Sequence, residues 1–215
     1  MKIGVLTSSR ADYGIYLPLL RKLKIDSFFE LEIIAFGTHL SKIHGYTLST
    51  IENDGFDEIH QIDSLGIDDS QKGISVSYAN TILKFAEFWQ NNRFDLVFCL
   101  GDRFEMSAAV QASIPFCVKL GHIHGGETTL GAIDNVYRHQ ITLASQLHFV
   151  STLVYKKKVE ALKGASENIY NVGALSLDNI EYFQPLDKSS FFDDFQIKNE
   201  DYALVTFHPE TVAVD

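Results

Sequence analysis

Five short stretches of this sequence concentrate the residue types that move protons or hold anions. The first, SSRADYG (Ser8–Gly14), combines small residues, Arg10 and a helix start. Backbone N–H groups at a helix start point outward, and Arg10 adds a planar fork of donors, so the stretch suits an anion. The same residues equally make a capped helix, with Ser8 or Ser9 at the cap and Asp12 favoured by the helix dipole. No G-x-G-x-x-G follows the strand, so the dinucleotide fingerprint is missing. The second, GDRFE (Gly101–Glu105), places Asp102 where another helix begins. Asp102 is either an N-cap or a carboxylate presented for proton transfer. Arg103 and Glu105 then orient it or face solvent.

The third stretch, GHIHGGET (Gly121–Thr128), holds His122 and His124, a glycine pair and Glu127. Histidines titrate near neutral pH and suit acid/base work. Gly125 and Gly126 let a ligand approach the backbone closely. The alternative is a pair of packed histidines. The fourth, AIDNVYRHQI (Ala132–Ile141), spaces Asp134 and Arg138 four apart, on one helix face, with His139 beside it. That pair is either a surface ion pair worth about 0.3–0.5 kcal/mol or a carboxylate held ionised and oriented by its Arg. The fifth, TFHPET, puts His208 after a strand that Pro209 prevents from continuing. His39, His44, His60 and His148 stand alone and read as structural or solvated.

The elements that must position these stretches alternate between short apolar runs and longer amphipathic segments. Strands are expected at 2–7, 31–37, 57–62, 95–101, 115–121, 147–151 and 168–173. Helices are expected at 15–24, with Pro18 in its first turn, and at 74–90, 104–112, 134–145 and 153–162. Such alternation predicts an α/β fold, a parallel sheet with helices on both faces. Ligands in such sheets bind beyond the C-terminal strand ends, where the clusters fall. Past Gly173 the pattern changes. Residues 176–183 suggest one more helix, 187–201 read as linker, and 202–210 resume as a strand. The expected division is a first domain at 1–175, a hinge at 176–201 and the first strand of a further α/β domain at 202–215, the chain being read as a fragment.

Composition narrows the partners. The 215 residues are 46% apolar, enough for a substantial core, and carry a formal net charge of −10. An acidic balance argues against nucleic-acid and anionic-membrane partners, but not against a phosphorylated small molecule held by one Arg and a helix N-terminus. Cys99 and Cys117 both sit in apolar runs and read as core residues of a reducing, cytoplasmic compartment. No apolar run is long enough for a membrane span, and the N-terminus reads as a strand, not a signal peptide.

Taken in order, SSRADYG, GDRFE, HIHGGET, AIDNVYRH and TFHPET resemble the hydrolysing UDP-N-acetylglucosamine 2-epimerases, nearest the branch serving sialic and legionaminic acid synthesis. The resemblance implies a Rossmann-like domain, the first half of a two-domain GT-B-like architecture with substrate in the interdomain cleft. It implies elimination of UDP with loss of the proton on sugar carbon 2, then addition of water with inversion there. It assigns catalytic roles to Asp102, Asp134 and His208, the last phosphate-side or acid, and substrate contacts to Arg10, Asp12, His122 and Arg138. His124 stands where parts of the family have a catalytic Glu, so the base is His124, Glu127 or Asp134. A UDP-sugar substrate is implied, either UDP-N-acetylglucosamine or a 2,4-diacetamido-6-deoxy relative, with no cofactor, no metal, and a homo-oligomeric parent. The rival readings are a metal-dependent hydrolase using His122, His124, His139, Asp102 and His208, and a UDP-sugar-binding chain without turnover.

Overall fold

The computed structural model describes residues 1–198, 200 and 203–206. Seven parallel strands make one sheet: β1 (Lys2–Thr7), β2 (Glu30–Phe36), β3 (Ile59–Ile62), β4 (Leu96–Leu100), β5 (Leu120–Ile123), β6 (Leu147–Val150) and β7 (Ile169–Asn171). Their spatial order is β3-β2-β1-β4-β5-β6-β7. The chain therefore winds outward from β1 in one direction, returns, and winds outward from β4 in the other. The reversal opens a crevice beyond the C-terminal ends of β1 and β4, where doubly wound sheets take their ligands.

Helices α1 (Arg10–Ile25) and α2 (Leu48–Asn53) pack on one face, through Tyr13, Tyr16, Leu20, Leu48 and Ile51. Helices α3 (Gln71–Asn91), α4 (Phe104–Ser113) and α5 (Asp134–Ala144) pack on the other, and α6 (Leu153–Lys163) covers its end through Val159. Phe85 and Trp89 of α3, four apart and fully buried, anchor that second layer; the Phe85 ring meets Phe36 of β2 edge-on at 4.9 Å. All five residues of β4 are buried, as its unbroken apolar run requires for a central strand covered on both faces. No helix among the described residues is long and apolar enough to cross a membrane.

The first helix starts earlier than its apolar spacing suggests. Ser9 is its N-cap, so Pro18 lies inside it, not in its first turn. A mid-helix proline leaves the carbonyl four residues back without its amide partner. Here that carbonyl belongs to Gly14, and the Asn179 side chain donates to it at 3.0 Å. Asn179 sits on a 3-10 helix, Leu175–Tyr182, that lies along α1, with Arg21 stacked over the Tyr182 ring at 4.8 Å. The opening of the expected hinge is thus docked on the first layer, and a short helix α7 (Lys188–Asp194), capped by Asp187, follows within it. Residues 203–206 hold no regular structure; the rest of the strand expected at 202–210 lies outside the described residues.

A second correction concerns 115–121. Ile114–Phe116 is a 3-10 turn, and the strand begins only at Leu120. Pro115 extends the end of α4 instead of entering the sheet. Cys117 adopts a left-handed backbone and is exposed, so only Cys99 is the core residue expected.

Candidate active site

The sheet delivers Asp102, His124, Glu127 and Arg138 to one cluster at the C-terminal ends of β4 and β5. Arg138 is its hub. The guanidinium is buried on α5, with one nitrogen paired to the Asp102 carboxylate. Its other terminal nitrogen donates to the His124 carbonyl at 2.7 Å and lies 3.8 Å from Oε2 of Glu127. Helix α5 therefore does not use the Asp134–Arg138 spacing as an ion pair; the Arg reaches across to the loop after β4. Asp102 is not a cap either. The N-cap position of α4 belongs to Arg103, and no side chain caps it.

Asp134 opens α5 on the rim of this cluster. Burial and the negative charge of Asp102 hold its carboxyl above the usual carboxylate range, against the pull of Arg103 and Arg138. A carboxylate paired with Arg138 and a second whose proton affinity is raised thus share one site, an arrangement that suits separate acid and base roles. Glu127 goes the other way. Burial works against its ionisation, but hydrogen bonds from His124 and Ser151 outweigh it and hold the carboxyl low. His124 Nδ1 and Ser151 Oγ both lie 2.7 Å from the same oxygen, Oε1. An ionised carboxylate only accepts, so Nδ1 carries a proton, and in the neutral ring Nε2 keeps its lone pair. Nε2 is buried and has no hydrogen-bond partner among the described residues.

Local backbone makes this possible. Within a strand, His122 and His124 would fall on the same face. The strand ends at Ile123, and His124 turns to φ +66° while its N–H still bonds Phe149. Gly126 follows at φ +80°, and a Cβ there would stand 2.6 Å from the Tyr155 carbonyl of α6. Only glycine lets the loop lie that close, and the loop sets Glu127 opposite Ser151.

Two residues expected to contact substrate are engaged within the fold. His122 is fully buried; Nε2 lies 3.0 Å from the Gly101 carbonyl and Nδ1 3.0 Å from the Thr142 hydroxyl. Burial lowers its pKa to about 3, so it is a neutral ring that donates to Gly101 and has no atom left for a ligand. Asp12 is also buried, with Oδ2 accepting from the Ser8 amide at 3.0 Å and the Ser8 hydroxyl at 2.6 Å, while its own N–H bonds the Ser9 cap. It completes the helix cap. Arg10 is exposed at the first position of α1. His139 is exposed on α5, and His208 lies outside the described residues. With His122 occupied, the zinc set of the hydrolase reading does not assemble among the described residues.

One member, Ser151, was missed, and another, Arg103, was expected only to orient Asp102 or to face solvent. Arg103, whose Nη2 is 2.8 Å from the buried Glu105, adds positive charge beside Asp12 and Asp134. Ser151, the residue after β6, lies beside the β5 end; the strand-end rule that found the other clusters also points to it.

A family model described as UDP-N-acetylglucosamine 2-epimerase matches residues 21–215. The chain belongs to the UDP-N-acetylglucosamine 2-epimerase family. It is 35% identical over 212 residues to the polysialic acid biosynthesis protein P7 of Escherichia coli, covering 99% of this chain and 54% of that protein. It is 32% identical over 214 residues to a hydrolysing GDP/UDP-N,N'-diacetylbacillosamine 2-epimerase of Campylobacter jejuni, covering 99% of this chain and 56% of the relative. The chain thus spans about half the length of these relatives. The fold is that of the Neisseria meningitidis UDP-GlcNAc 2-epimerase crystallised with UDP-GlcNAc, with TM-score 0.73 and 16% identity over 92% of this chain and 52% of that one.

Proposed function

We propose that the whole protein converts a UDP-linked 2-acetamido sugar and water into UDP and the free 2-epimeric sugar. The substrate is UDP-N-acetylglucosamine or its 2,4-diacetamido-6-deoxy relative. The observation that carries this reading is the convergence on Arg138: a carboxylate it pairs, a second with raised proton affinity, and a histidine held by an ionised Glu. The proton on carbon 2 is weakly acidic, and its removal with departure of UDP needs a base with a free lone pair. His124 Nε2 is that base. The UDP oxygen leaves with its electron pair, and the glycal then gains a proton at carbon 2 from the opposite side and hydroxide at carbon 1. Asp134, which holds its proton above the usual range, suits the donor step. Asp102 keeps Arg138 in place and adds negative charge that sustains Asp134. Arg10 and His208 are assigned to the diphosphate.

The site works with no cofactor or metal ion in this reading, in a cytoplasmic homo-oligomer. The test is incubation of the full-length parent with each UDP-sugar in deuterium oxide. UDP release with one deuterium at carbon 2 of the product is expected for at least one of the two. No release from either overturns the assignment.

A further inference from the structure

We propose that Ser151 is a positioning residue that, through Glu127, fixes the His124 proton on Nδ1 and leaves Nε2 as the proton-transfer atom. The inference deepens the proposed function and rests on its use of His124. Ser151 comes from the end of β6, whereas Glu127 and His124 share the loop after β5. The hydroxyl and the imidazole converge on one carboxylate oxygen, each at 2.7 Å. The other oxygen lies 3.8 Å from the Arg138 guanidinium, which is itself paired with Asp102. Glu127 is therefore contested. Arg138 on α5 draws the carboxylate one way and His124 the other, and Ser151 is the fixed donor that holds Oε1 on the histidine side. His122, a further titratable neighbour, is neutral, and both its nitrogens are engaged by Gly101 and Thr142, so it offers His124 no competing partner.

Removing the hydroxyl frees the carboxylate to rotate toward Arg138. His124 then loses the acceptor that selects Nδ1–H, and its two neutral tautomers mix. Nitrogen-15 shifts of labelled histidine in the 215-residue chain read this directly. One tautomer, protonated on Nδ1, is expected in the parent chain, a mixture in Ser151→Ala, and the single tautomer again in Ser151→Thr. Should the alanine variant not fold, Ser151→Cys keeps the shape with a weak donor and gives the same reading. A folded alanine or cysteine variant with the parent's tautomer overturns the proposal. In the full-length enzyme the alanine variant should lose kcat with KM held, and threonine should restore it. The tautomer needs no turnover, so absence of UDP release would sink the substrate assignment without touching this measurement.

Discussion

Asp102 and Asp134 both stand at helix starts, yet the protein uses them differently. Asp102 lies against the Arg138 guanidinium, and Asp134 sits in the field of Asp102 with its carboxyl held above the usual carboxylate range. Replacing Asp102 with Asn keeps an acceptor for Arg138 but removes the charge. Asp134 then loses the neighbour that raises its pKa, and Arg138 is drawn toward Glu127. In the full-length enzyme, Asp102→Asn should cut kcat by about 100-fold or more, with the thermal midpoint checking that the fold survives. A variant that turns over at the parent rate removes Asp102 from the chemistry. Residue types and strand-end positions were enough to single out Asp102, His124, Glu127, Asp134 and Arg138. The pairing was not legible. Helix spacing suggests Asp134 with Arg138, and only the packing of α5 against the loop after β4 sends that Arg to Asp102. The two histidines were likewise inseparable in sequence, because the turn at His124 decides which ring is buried and which is held by Glu127.

At the scale of elements, the strands and helices followed from apolar runs and their periods, since each central strand is covered on both faces. The exceptions have local causes. Ser9 caps α1 six residues before the expected start at Ile15, and Asn179, 165 residues from Gly14, takes up the carbonyl that Pro18 leaves bare. No local pattern reports a partner that distant. The loop after β5 includes a close approach that local pattern does not report either. Gly126 is at φ +80°, and a methyl there would press to 2.6 Å from the Tyr155 carbonyl and 2.9 Å from Val159. Both the backbone and the space exclude a side chain. Gly126→Ala should therefore cost about 2 kcal/mol or more, read as a shift in the urea midpoint. It should also raise amide exchange in α6. Stability equal to the parent would show that the loop is not pinned against α6.

At the scale of the whole molecule, three buried histidines, His39 in the turn after β2, His122 in β5 and His148 in β6, tie stability to pH. Burial lowers His39 and His148 to about 4 and His122 to about 3. In the unfolded chain each takes a proton near pH 6.5. Above that pH neither state gains a proton and stability is full. As pH falls from about 6.5 toward 4, the unfolded state binds protons that the fold refuses. Each ring then removes about 1.4 kcal/mol per pH unit. The loss levels off once the folded rings protonate. Glu32 and Glu127, held low by their partners, add further loss in the carboxylate range, while Asp12, raised by burial, recovers some there. The urea midpoint should therefore be flat above pH 7 and fall steeply between 6.5 and 4.5, where the carboxylates contribute least. His148 lies in β6 beside His122 and outside the proton-transfer cluster. His148→Phe, close to it in shape, should remove roughly one third of that slope and leave the plateau above pH 7 in place. A variant with the parent's full slope would show that His148 takes up its proton inside the fold and contributes nothing to the acid sensitivity.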